Sequence, residues 1–490
     1  MKKNIFVALS VAMLGFTACS EDTMDYINKD TLHPQPEVVP AKLQLSEAIM
    51  STGFSTVSGD FAFYLSSWTE QEFGTGNNQL MKAELRNSIE WSASSTFNNV
   101  WKGTYSNLMS IQQMIDKVEG DVAGAGSQVD ILGMAQVLKA MNYGILTDMF
   151  GDIPCSEALK GAEILQPKLD AQKDVYAMVM TTLDAAIANL QKAADEGINN
   201  AETQDLAYGG NASKWLAAAY GLKARYLIHQ SAVDNSVYAA AEAAAQKAIE
   251  LGFNGMLISE FNGINCDNPW SAFIFSRAYT ASSATVANLM EANNDPRLAL
   301  YLNGGEAYAP GNAEAAKLSA SPSYPKWFEL GSQPVHLLSQ AEVYFILAEA
   351  QLRQGKEATE AFQNAVESAV ADILTICGKD ASVAKDYAES LGAATLQKLF
   401  EQKYLAQCVD EQVETFNDIR RCQAMGENWV KLTNPMNTQS GLNRLPMRLP
   451  YGSDSVLNNP TIAEAYGDGY YIYSEPVWWA GGKRLSLIHI

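Results

Sequence analysis

With 490 residues, 47% of them hydrophobic, the chain can bury one large core or two ordinary ones. Its 55 acidic residues against 34 basic ones give a net charge of -21, and no basic stripe interrupts that balance, which excludes nucleic acid or another polyanion as a partner. Six scattered cysteines with no C-x-x-C pair, and four histidines, argue against a zinc centre or a disulfide-built scaffold, although one bridge through Cys408 or Cys422 stays open. H-E-x-x-H, G-x-S-x-G and P-loop signatures are absent, so neither an enzyme nor a cofactor is indicated.

The chain opens with Lys2 and Lys3, an apolar stretch over 5–16 too short to span a bilayer, and the small residues Thr17 and Ala18. That pattern predicts an export signal over 1–18. The string FTAC at 16–19 resembles a bacterial lipobox, which implies that the Cys19 thiol is acylated and becomes the mature N-terminus. An ordinary signal with a chance cysteine is the competing reading. At about 0.8 kcal/mol per buried methylene, two or more acyl chains anchor a protein to a leaflet without spanning it. Residues 19–40 are polar and end in HPQPEVVP, which reads as an extended tether.

Helical patterning follows, with apolar residues at i, i+3 or i+4 and i+7 over 42–50, 100–118, 129–150, 174–194, 212–230, 238–251, 339–354, 357–376 and 395–407. Asn211, Ser213, Asp234 and Gly355 punctuate them. Alanines cluster on successive helices, as in Ala217, Ala218, Ala219 and Ala224 followed by the alanine-rich run 239–244 and Ala248. Small residues let helices approach closely, which suits tetratricopeptide-like hairpins and ordinary bundle packing alike. Loop-rich stretches occupy 252–268 and 303–334, and the chain becomes irregular from Asn434 onward.

At 145–159 the string ILTDMFGDIPCSEAL resembles the hallmark of the SusD/RagB family of nutrient-binding outer-membrane lipoproteins. Physically it is a helix exit, with Gly151 turning the chain and Pro154 stopping the helix, followed by an acidic hook. Further blocks are similar to the family in its order. They include Trp101 and Tyr105, then Pro167, Asp170, Tyr176, Leu183 and Ala186, then Tyr208, Gly209, Trp215, Leu222, Lys223 and Arg225. Asp295, Pro296 and Arg297, Glu342 and Glu349, Gln402 and Lys403, Arg420 and Arg421, and LPMR at 445–448 complete the series. Cys155 departs from the pattern where an aromatic is common, as does Gly452 where proline often follows RLPY.

The resemblance implies a mainly α fold over 41–484, with tetratricopeptide-like helical hairpins in an α/α superhelical scaffold, long ligand-binding loops and few short strands. It also implies a non-enzymatic, lipid-anchored outer-membrane protein facing the cell exterior, a location that the acidic Ser20, Glu21 and Asp22 also resemble. Such a protein would capture an oligomeric nutrient, a glycan or alternatively an oligopeptide, and deliver it to a SusC-like TonB-dependent transporter. A secreted hydrolase would instead need paired carboxylates facing a cleft, and none stands out; a pure interaction scaffold would need no cleft.

Capturing a sugar or peptide without catalysis calls for aromatic faces and amides on rigidly held loops. Three clusters offer them: Tyr64, Trp68, Glu70, Gln71 and Phe73 with Asn77 and Asn78; Trp270, Phe273 and Phe275; and Tyr324, Trp327 and Phe328. Core packing is the competing role for every ring, and it is assigned outright to Trp101 and Trp215. Trp68, Phe73, Asn77, Trp270 and Trp327 are the ligand candidates, because polar or turn-forming residues flank the tryptophans. At the far end, LSLIHI over 485–490 resembles a one-frame translation of the transposase end sequence used as a library adapter, so the native chain is expected to depart at about Lys483 or Arg484. Replacing Cys19 with alanine should release a folded protein from the membrane fraction, which fractionation of cells lacking the transporter would show.

Overall fold

The computed structural model of the protein describes residues 39–76, 79–87, 96–120, 127–318 and 323–482. Cys19, Asn77, Asn78 and the 485–490 tail therefore lie outside the described residues. Helix α1 (Asp60–Trp68) and strand β1 (Glu72–Gly74) precede the long helices α2 (Asn98–Glu119), α3 (Val129–Phe150), α4 (Gln172–Glu196), α5 (Ala212–His229) and α6 (Val237–Glu250). After them come β2 (Met256–Ile258), α7 (Pro269–Arg277), β3 (Thr280–Ser282), α8 (Ala284–Ala292) and β4 (Val335–Leu338). The chain then forms α9 (Gln340–Arg353), α10 (Thr359–Ile376), α11 (Leu396–Gln407), α12 (Gln412–Ala424), α13 (Ser453–Asn458) and α14 (Pro460–Tyr466).

Helices α2 to α6 each pack on the next, α6 then packs on α9, and α9 on α10, so helical hairpins stack in one continuous series. Helix α4 shows how the sequence produces such a unit. Val175, Tyr176, Val179, Leu183, Ala186, Leu190 and Ala193 form one buried stripe, and Gly197 ends the helix in the left-handed region. Close approach needs small residues: a Cβ at Gly144 of α3 would sit 2.3 Å from the Tyr226 ring of α5. Sheet among the described residues is confined to three short antiparallel pairs: β1 with β3 in the register Phe73 opposite Ala281, β2 with β4 across a bulge, and Thr438–Gln439 with Leu442–Asn443. Among the described residues no helix is long and apolar enough to cross a membrane.

Helix α12 escapes the hydropathy pattern altogether, because its buried face carries charge. Glu414, Asn417, Asp418, Arg420 and Arg421 are buried beside Val413 and Phe416. They belong to a web that ties α12 to the helical stack. Arg225 of α5 grips Glu342 of α9 through two bonds of 2.7 and 2.5 Å, and Arg421 grips Glu349 at 2.5 and 2.8 Å. Asp418 accepts from Arg421 and from Lys403 of α11, both at 2.7 Å. Outside α12, Asp295 and Arg297 pair at 2.6 Å, beneath the Tyr387 hydroxyl. No disulfide joins the described cysteines: Cys408 and Cys422, the residues left open for a bridge, are buried free thiols. Burial holds both thiols well above their usual pKa range.

Several buried groups make stability depend on pH, His229 and Glu72 among them. Burial works against the His229 imidazolium, but Glu414 at 2.8 Å and Asp148 at 3.2 Å outweigh it and lift its pKa from 6.5 to about 9. Protonated His229 therefore contributes stability that is complete below pH 6.5 and is lost as the pH rises through about 9. Glu72 is fully buried, neither of its carboxylate oxygens finds a hydrogen-bond partner, and burial pushes its pKa well above 4.5. Held neutral in the fold but ionised in the unfolded chain, it subtracts stability as the pH climbs past 4.5. Urea unfolding across a pH series should show stability falling between pH 6.5 and 9, with a flatter profile for His229→Gln. Glu72→Gln should gain on the order of 1–2 kcal/mol at pH 8.

Candidate functional site

The hallmark string forms the exit of α3 and the hook after it, and its residues are fixed from several sides. Asp148 accepts from the Trp479 indole at 2.8 Å and from the Tyr176 hydroxyl, and it also faces His229. Gly151 has φ +80°, and a Cβ there would fall 1.4 Å from Nη2 of Arg448, whose guanidinium donates to the Phe150 carbonyl at 2.6 and 3.2 Å. Glycine is thus required by backbone conformation and by the arginine that clamps the helix end. Asp152 accepts the Gln172 backbone N–H at 2.9 Å at the start of α4, and the Tyr451 hydroxyl donates to the Asp152 carbonyl. Asp170 then gathers the backbone N–H groups of Cys155 and Ser156 at 2.9 and 2.7 Å, which closes the hook.

Beside the hook lies a cleft of about 630 Å³, within the range of ligand sites. Its floor is one face of α2, with Trp101, Tyr105 and Met109 at helical spacing and Asn98, Lys102 and Ser106 around them. One wall is the hook from Pro154 to Pro167, with Leu165, 81% exposed, at the lip. Asn458 and Asn459 face it from the end of α13 and the start of α14. Cross-bonds hold the walls in place: the Tyr105 hydroxyl donates to the Pro154 carbonyl at 2.7 Å, the Trp101 indole to Ser455 Oγ at 2.9 Å, and Asn459 to the Pro167 carbonyl at 2.7 Å. An aromatic floor under an amide rim suits a neutral, polyhydroxylated or amide-bearing chain.

Catalytic chemistry has little to work with in this cleft. Asp454 is the one carboxylate among the described residues of its lining, whereas glycoside hydrolysis ordinarily uses a pair. Cys155, behind the hook, has its thiol pushed up to about 12 by burial first and by Asp170 second, which leaves it protonated and unreactive at neutral pH. Burial likewise raises the Tyr105 phenol and lowers Lys139. No group of three His, Cys, Asp or Glu side chains suited to a metal ion occurs among the described residues.

The ligand candidates read from sequence sit elsewhere, and the structure corrects their expected exposure. Trp68, Phe73, Trp270 and Trp327 are all fully buried. Trp68 closes α1 against Tyr64, Phe97 and Phe416; Trp270 stacks on Phe328 with ring centroids 4.2 Å apart and meets Phe63 edge-on. Phe73 lies on β1 against Tyr308, and Trp327 lies against Tyr301. Polar neighbours had suggested exposed rings, but those neighbours are buried with the rings: Ser67, Thr69, Glu70 and Gln71 around Trp68, and Asn268 and Ser271 around Trp270. Trp215 is buried as expected, with its indole on Asp205, while Trp101 serves both the core and the cleft floor. Asn98, Lys102 and Asn458 escaped the sequence reading, and Tyr105 entered it only as a family match. Trp101, Tyr105 and Met109 show a visible i, i+4, i+8 stripe, but only the hook, brought back across it, makes that stripe a floor.

Comparisons with known proteins bear on the whole chain. A SusD-like family model described as starch-binding and associating with the outer membrane matches residues 63–452. A solved SusD/RagB family protein from Bacteroides thetaiotaomicron is 32% identical, covering 91% of this chain and 100% of its own, with a TM-score of 0.82. A chitin-binding protein at 23% identity covers 90% of this chain and 100% of its own with a TM-score of 0.71. A chitin-binding SusD homolog from Flavobacterium johnsoniae at 20% covers 90% and 99% with a TM-score of 0.69, and these two likenesses show the fold. No curated protein matches the chain. Gly151→Ala should cost about 2–5 kcal/mol through strain and collision with Arg448, read as a lower melting temperature and faster proteolysis within 151–170.

Proposed function

This chain belongs to the SusD/RagB family, and from that premise we propose that it is a cell-surface lipoprotein that captures oligomeric glycan for a SusC-like TonB-dependent transporter. The observation that carries the binding role is the hook cleft, an aromatic floor with an amide rim and a single carboxylate. Two relatives described as chitin-binding and a family model described as starch-binding support glycan over peptide. Sugar rings present apolar faces to aromatic side chains and hydroxyls to amides, so Trp101 and Tyr105 would lie under the chain while Asn98 and Asn458 bond its edge. Capture needs no bond to be made or broken.

Anchoring supports the same reading. The lipobox-like FTAC would tether the body to the outer membrane, and the polar, proline-containing 19–40 sequence would give it reach over a transporter mouth. Calorimetry with maltooligosaccharides, chitooligosaccharides and oligopeptides tests the cargo. One glycan series should bind, and the double substitution Lys102→Ala with Asn458→Ala should weaken it roughly tenfold with an unchanged melting temperature. Tight peptide binding without glycan binding would reassign the cargo, and binding of neither would leave an interaction scaffold.

A further inference from the structure

We propose that a groove between α8 and the 428–433 segment is a second carbohydrate site. It encloses about 500 Å³ and shares no lining residue with the hook cleft. Trp429 supplies the aromatic surface. The ring is held: its indole donates to Glu427 at 2.8 Å, Glu427 is itself gripped by Arg353, and the ring plane lies within 2° of parallel to Phe400. Around it stand Asn288, Gln397 and Asn428, all exposed amides, while Glu401 and Lys431 balance in charge. That lining asks for a neutral ligand with an apolar face and many hydroxyls.

A second observation, at the base of the walls, concerns Glu70. It is fully buried yet holds a φ of +60°, a conformation that costs a non-glycine residue energy and persists only where surroundings impose it. Its carboxylate accepts from the Thr433 and Asn434 backbone N–H groups at 2.7 Å each and from the Thr285 hydroxyl at 2.6 Å. Thr285 of α8 and Thr433 of the 428–433 segment both line the groove, and their hydroxyls meet at 3.5 Å. One buried carboxylate thus pins the two walls together, so that the groove is formed before a ligand arrives and ordering costs little on binding. An extended peptide fits this lining less well, because no β-strand edge among the described residues borders it for main-chain pairing.

The inference rests on the reading that the chain binds glycan and adds a site to it. Equilibrium binding of the full mature chain to a linear oligosaccharide should show two equivalents. Trp429→Ala, and independently the double substitution Asn288→Ala with Asn428→Ala, should remove one equivalent and weaken a long glycan roughly tenfold. The amide pair leaves the contacts among Trp429, Glu427 and Arg353 intact, so it decides the matter if the tryptophan variant does not fold. Lys102→Ala with Asn458→Ala should remove the other equivalent. A single equivalent that survives both groove variants and vanishes in the hook-cleft variant would overturn the second site and leave the proposed function standing. A chain that binds no oligosaccharide would overturn both.

Discussion

Helix α12 is the constraint on which the rest depends, because it carries charge into the centre of the fold. Taking an arginine or a glutamate out of water costs several kcal/mol, and only close, multiple partners offset it. Arg421, Asp418 and Glu414 find those partners on α5, α9 and α11, while Arg420 donates to the carbonyls of Asp148 and Met447. Removing a single member leaves a buried, unpaired charge. The pairing therefore specifies which helices meet and at what register, a task that interchangeable alanine-rich contacts cannot perform.

The same web reaches the hook. Asp148 stands where α3, α5, the 479 turn and α12 converge, so the end of α3 is held from the core outward. Arg448 and Tyr451 add clamps from the C-terminal segment on the Phe150 and Asp152 carbonyls. A loop secured at so many points behaves as a wall, which is what a cleft needs if binding is not to be spent on ordering it. Glu70 applies the same logic in another place, with one carboxylate joining two surface segments. In both cases buried polar chemistry gives rigidity to a surface that itself has modest polarity.

The family blocks recognised in the sequence turn out to be these buried partners. Arg225, Glu342, Glu349, Lys403, Arg421 and the Asp295 to Arg297 turn all lie in ion pairs with little or no solvent exposure. They identify the scaffold, whereas Trp101, Tyr105 and the hook, which match the family in the same series, also line the cleft.

What the sequence determined by itself was the helical body. Nine patterned segments became helices within a few residues of their expected bounds, since a 3.6-residue apolar stripe has few other ways to be buried. Glycine and proline at 151 and 154 marked the hook, because their backbone limits are local. Only the tertiary structure decided the rest. Helix α12 was hidden because its buried positions are charged, and hydropathy cannot see a charge that will be paired from another helix. Trp68, Trp270 and Trp327 looked available because exposure depends on what folds over a ring, and Phe416, Phe328 and Tyr301 come from far along the chain. The cleft, likewise, exists only where α2, the hook and the α13 to α14 turn are brought together by contacts separated by hundreds of residues, and no local pattern encodes that meeting.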